Sequence, residues 1–97
     1  MSKSALVVGE SLVDIVRGGD GSTTEFAGGS AANVAVALAR LGRPVEFATS
    51  WGDDDRGRVL AARLERDHVS LAVDPLAIGH TSTALATIGS DGHASYV

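Results

Sequence analysis

The residues best placed to do chemistry in this 97-residue chain are Gly28-Gly29-Ser30-Ala31-Ala32-Asn33, which run without a break into Val34-Ala35-Val36-Ala37-Leu38-Ala39-Arg40-Leu41-Gly42. Two adjacent glycines let the backbone approach a bound molecule closely, and Ser30 has the chemistry to cap the helix that starts there. Backbone N–H groups at the helix start and the Asn33 amide would then converge on one point, which suits a small polyhydroxylated or anionic ligand. The competing reading is structural: a strand-to-helix turn in which Asn33 caps or bonds backbone.

Other reactive types lack a matching pattern. Asp53-Asp54-Asp55 is a carboxylate run, but a calcium loop needs oxygen ligands at alternate positions, then a glycine and a distant Glu; Gly57 and Arg58 stand where the third ligand and that glycine belong. Charge at a helix N-terminus accounts for the run better. His68, His80 and His93 have no metal-ligand spacing and read as surface residues. Gly18-Gly19-Asp20-Gly21 lacks the third glycine of a dinucleotide fingerprint, and no Walker phosphate loop occurs. Trp51 and Tyr96 are the polar aromatics; Tyr96 fits a sugar-stacking, an interface or a core role equally.

Positioning the glycine run requires elements on both sides of it. Ala5-Leu6-Val7-Val8, ending at Gly9, has the continuous apolar pattern of a central strand buried on both faces of a parallel sheet. Leu12 to Val16 and Thr24 to Ala27 flank the Gly18–Gly21 turn and predict a hairpin standing off that sheet. Ser30 to Leu41 is helix-forming, apolar nearly all round and stopped by Gly42 and Pro44, so a buried helix is expected. Val45 to Thr49 predicts a second central strand, which completes a right-handed parallel crossover with the hairpin inserted before its helix. An amphipathic helix then follows the aspartates to about Asp67, with Val59, Leu60 and Leu64 on one face. Val69 to Leu76 predicts a short strand broken by Pro75, and Thr83 to Ile88 with His93 to Val97 a hairpin across Gly89-Ser90-Asp91-Gly92. The end in mid-strand, at Ser95-Tyr96-Val97, leads us to expect a piece of something longer.

Composition narrows the partners. The chain is 44% hydrophobic and 21% charged, which reads as one soluble globular unit. A net charge of −4 offers no basic face for nucleic acid or an anionic membrane, so neither is expected as a partner. Cysteine is absent, which excludes disulfides and zinc-thiolate sites. The apolar run after Lys3 is interrupted by Gly9-Glu10 and is too short for a signal-peptide core or a membrane span, so a cytoplasmic location is expected.

The order of elements and the motifs together resemble the N-terminal portion of the PfkB/ribokinase family of carbohydrate kinases. The matching pieces are Gly9-Glu10-Ser11-Leu12-Val13-Asp14, Gly28 to Asn33, Leu41-Gly42 and Gly52-Asp53-Asp54-Asp55-Arg56-Gly57. The resemblance implies an α/β architecture, a partial ribokinase-like fold in which a parallel βαβ core carries inserted β-hairpin lid strands. Residues 1–97 would be the N-terminal segment of that domain, with lid strands at about 12–27 and 83–97 and the C-terminal ATP-binding and catalytic part absent. It also implies that Asp14, Gly28, Gly29, Ser30 and Asn33 bind a small sugar or sugar-like substrate. Taken from the residues alone, Asp14 can equally be the solvent-facing position of an alternating strand.

The resemblance assigns no catalytic residue and no metal ligand to this chain. Family members use a downstream Gly-Ala-Gly-Asp element as base and anion hole, and no such element occurs in these 97 residues. ATP and Mg²⁺ belong to the intact family enzyme, and neither is expected to bind this segment strongly. In several relatives the lid meets that of another subunit, so the resemblance implies a homodimer through the lids. The function expected is the sugar-binding part of an ATP-dependent kinase; the alternative is a noncatalytic truncated module that self-associates through its lid strands.

Overall fold

The computed structural model describes residues 4–77, 79–88 and 94–96. In chain order its elements are β1 (Ala5–Val8), β2 (Leu12–Arg17), β3 (Thr23–Gly28), α1 (Ser30–Arg40), β4 (Val45–Ala48), β5 (Trp51–Gly52), α2 (Asp55–Arg66), β6 (Ser70–Leu71), β7 (Leu76–Ala77), β8 (Thr83–Ile88) and β9 (Ala94–Tyr96). The architecture is mixed α/β with parallel sheets, as expected. β1 pairs parallel with β4 from Ala5↔Val45 to Val8↔Ala48, and β6 pairs parallel with the other edge of β4. Parallel neighbours need a long crossover. α1 supplies it, with the β2–β3 hairpin inserted ahead of the helix.

A second sheet, of order β3-β2-β8-β9, stands beside the first. β2 runs antiparallel to β3 and parallel to β8, and β8 antiparallel to β9. The two expected hairpins are therefore halves of one sheet, joined by the β2–β8 pairing that neither local pattern encodes. The connection at residues 89–92, and His93, lie outside the described residues.

The core joins both layers. Phe47, Leu60 and Val13 are the largest fully buried side chains, and Ala32, Ala35, Val36, Val45, Trp51, Leu64 and Val69 pack around them. Val13 belongs to β2, so the second sheet is rooted in the core by its own strand. The buried Ser11 and Thr49 hydroxyls share a hydrogen bond of 2.8 Å where the chain leaves β1 and β4, which satisfies both groups at the junction. At the far end Arg40 donates to both carboxylate oxygens of Asp67 at 3.0 and 3.4 Å, tying the end of α1 to the end of α2.

Four expectations change. β1 is not buried on both faces: Leu6 and Val8 are 64% and 71% exposed, because among the described residues α1 covers only one side of this sheet. α1 buries Ala32, Ala35 and Val36 and leaves Val34 and Leu41 in solvent, so its apolar content exceeds the face it buries. In α2 Leu60 and Leu64 are buried together with Gly57, whereas Val59, one residue and 100° away, is exposed. The strand expected over Val69–Leu76 is two short strands on either side of Pro75, whose carbonyl accepts from Trp51 N; β6 extends the first sheet, while β7 pairs with β5.

Candidate functional site

The glycine run sits where the second sheet meets the first helix. In the β2–β3 hairpin Leu12 lies opposite Gly28 and Asp14 opposite Phe26, so these four residues share one face. Val13 and Ala27 alternate to the other face, where Val13 enters the core. The half-buried Asp14 is therefore turned away from the core. Its carboxylate lies directly against Gly28, and a Cβ built there would collide with Asp14 Oδ2. Only glycine at position 28 leaves that carboxylate its place.

Gly29 is the N-cap of α1, with φ 101°, a conformation L side chains rarely adopt. A Cβ there would stand 2.6 Å from the Glu10 carbonyl oxygen, so the turn packs against the β1–β2 connection. The reversal takes one residue, and Ser30 is already inside the helix. The expected cap is therefore not made: no side chain caps α1, and its first bond runs from Asn33 N to Gly29 O at 2.9 Å. The preceding first-turn N–H groups have no acceptor within the helix and lie at the positive end of its dipole, beside Gly28–Gly29.

Asn33, one turn further on, bonds a side chain rather than backbone. Its Oδ1 accepts from Arg63 Nη2 of α2 at 2.9 Å, while Arg63 Nη1 donates to the Ala27 carbonyl at 3.2 Å. One guanidinium thus links the residue before the glycine pair to the Asn after it. Two turns back on the same helix, Arg56 forks onto Glu25 of β3 at 2.8 and 3.2 Å and holds its carboxyl below the usual range. Neither arginine was legible in the sequence, because each partner lies about thirty positions away on another element. Their seven-residue spacing is the only local signal.

The aspartates behave as helix-start charges. Asp54 caps α2 through Gly57 N, and Asp53 and Asp55 pair with Arg58. Among the described residues no three His, Cys, Asp or Glu side chains converge on a metal position, and no helix is long and apolar enough to cross a membrane. His68 and His80 are exposed; Trp51 is a core residue. The Tyr96 side chain lies outside the described residues.

Residues 2–97 match the model of the pfkB family carbohydrate kinases. The chain belongs to the pfkB family. It is 34% identical over 97 residues to a fructokinase of Klebsiella pneumoniae, a match covering 99% of this chain and 32% of that protein. The fructokinase structure from Xylella fastidiosa superimposes with a TM-score of 0.89 at 29% identity, covering 99% of this chain and 33% of that one. Arabidopsis thaliana ribokinase, solved with ribose and ATP, superimposes with a TM-score of 0.82 at 25% identity, covering 100% and 36%. The pfkB-family chain thus has a partial ribokinase-like fold and spans about a third of the length of the relatives it matches.

Proposed function

We propose that this pfkB-family chain carries the sugar-binding end of an ATP-dependent carbohydrate kinase, with a ketohexose such as D-fructose as the first acceptor to test. The fructokinases among its relatives support that choice. The observation that carries the proposal is the pressing of the Asp14 carboxylate against Gly28 at the uncapped start of α1. A sugar hydroxyl both donates and accepts, and needs a partner of each kind. Asp14 accepts, the α1 N–H groups and the Asn33 amide donate, and the missing side chains of Gly28 and Gly29 leave room for the Asp14 carboxylate and the Glu10 carbonyl to pack against the turn. Ser30, exposed on the first turn, can add a hydroxyl. These residues bind and orient the acceptor, which lowers the entropic part of the barrier.

We assign none of these residues to a nucleotide–metal complex. No Gly-Ala-Gly-Asp element occurs in the sequence, and the described residues bring no three metal-ligating side chains together. ATP with Mg²⁺ would supply the phosphoryl group in the whole kinase, and no residue of this chain is assigned to that transfer. The second sheet acts in this reading as a lid over the sugar. Its outer strand β3 has an unpaired edge among the described residues, with Phe26 54% exposed, and this supports a homodimer formed lid to lid.

The test is a coupled ADP-release assay of the full-length protein with D-fructose, D-ribose and a keto-deoxy sugar acid. Asp14→Asn and Asn33→Ala are expected to raise the KM for the accepted sugar about tenfold or more and to leave the KM for ATP in place. Unaltered sugar KM values in both variants would refute the proposed site.

A further inference from the structure

Arg63 stands at the site with partners unlike those of its neighbours. The ion pairs of the described residues use Arg40, Arg56 and Arg58, each against a carboxylate. Arg63 instead spends two nitrogens of one planar fork on neutral oxygens, Asn33 Oδ1 at 2.9 Å and Ala27 O at 3.2 Å. Those two oxygens bracket the Gly28–Gly29 turn. The side chain is half-buried, rising from α2 between the buried Leu60 and Leu64.

The consequence falls on Asn33. An exposed Asn amide turns freely through 180°, exchanging its oxygen and nitrogen at the surface. Here that exchange would set the Nδ2 hydrogens against a guanidinium that has only donors to offer. The amide is held with Oδ1 toward Arg63 and Nδ2 turned away. Asn33 then presents N–H groups to a ligand, complementing a carboxylate that can only accept.

We propose that Arg63 is a positioning residue that fixes the polarity of Asn33 and thereby the hydroxyl pattern the sugar site accepts. The role rests on the sugar-site reading above. Arg63 need not touch the sugar; it acts through the amide and through the carbonyl ahead of the glycine pair. A lysine reaches one of the two oxygens but lacks the fork.

The experiment measures KM for D-fructose and for ATP, with the thermal midpoint, in full-length Arg63→Met, Arg63→Lys, Asn33→Ala and Asn33→Ala/Arg63→Met. Arg63→Met is expected to raise the fructose KM about tenfold and leave the ATP KM unmoved, with Arg63→Lys recovering part of the loss. The double variant is expected to match Asn33→Ala alone, because an arginine acting through Asn33 has nothing left to act on. Multiplicative effects, or an unaltered fructose KM in Arg63→Met while Asn33→Ala raises it, would overturn the positioning role. A fall in midpoint with both KM values shifted would mark the arginine as structural only. An unaltered fructose KM in Asn33→Ala would instead remove the sugar site itself, and the positioning role with it.

Discussion

One carboxylate, Asp54, holds three segments together. Its Oδ1 accepts from Gly57 N at 2.8 Å and from the Thr81 hydroxyl at 2.5 Å, and its Oδ2 accepts from Thr81 N at 2.9 Å. Thr81 Oγ1 in turn accepts from Gly52 N, so the knot joins β5, the start of α2 and the chain entering β8. The Thr81 hydroxyl, with the Thr81 and Gly57 amides behind it, lowers the Asp54 pKa from 3.8 to about 2. A carboxyl with a depressed folded pKa lends stability above its unfolded value and loses it as pH falls through the folded one. Asp54→Asn is therefore expected to be less stable than the parent at pH 7, with the gap narrowing between about pH 4 and pH 2. Denaturant titrations followed by the buried Trp51 measure this; a gap constant across that range would contradict it. Asp54 was legible as a helix-start charge, but Thr81, its chief partner, carried no sign of the bond. Gly28 stood out through the glycine pair itself, whereas Asp14 was singled out only by motif spacing, since strand alternation alone left it open to solvent. Arg63 was not legible at all: a residue thirty positions from its partner has no local pattern.

At the scale of elements, helix ends show what sequence reading catches and misses. α1 closes with Gly42 N on Ala39 O and Arg43 N on Leu38 O, and Gly42 takes φ 83°. The stop was plain in the sequence because glycine is the usual residue for that left-handed position. α2 closes by the same pair of bonds, His68 N to Glu65 O and Val69 N to Leu64 O, but the left-handed residue is His68 with φ 59°. Nothing in a histidine announces this. The left-handed conformation costs a side chain about 1–2 kcal/mol, partly offset by the greater freedom glycine loses on folding. His68→Gly is accordingly expected to stabilise the fold by roughly 0.5 to 1 kcal/mol. A raised denaturation midpoint with an unchanged denaturant slope would show it, and an unchanged or lowered midpoint would refute it. Burial along α2 is equally hidden from local pattern. Val59 and Leu60 are both apolar, and only the direction from which β2 and β3 approach α2 decides which one is covered.

On the scale of the whole molecule the chain is drawn out, 53 by 30 by 19 Å, with a radius of gyration of 14.9 Å. A compact unit of this length would have about 12.5 Å. The four-stranded sheet is rooted in the core by Val13 and braced by the Arg56–Glu25 fork. The order of strands in that sheet was not legible, because β2 and β8 are separated by the whole first crossover and pair only in three dimensions. An extended sheet with an open outer strand invites a second copy, and β3 offers Thr23, Thr24, Glu25 and Phe26 exposed in sequence. A lysine on such an edge opposes pairing, since two copies would bring like charges together. For the lid-to-lid homodimer proposed above, light scattering of the full-length protein is expected to give twice the single-chain mass, and Thr24→Lys to return it to one chain. A single-chain mass in the parent would refute the homodimer, and a dimer indifferent to Thr24→Lys would move its interface away from the β3 edge. The first result would also leave each lid to close its sugar site alone.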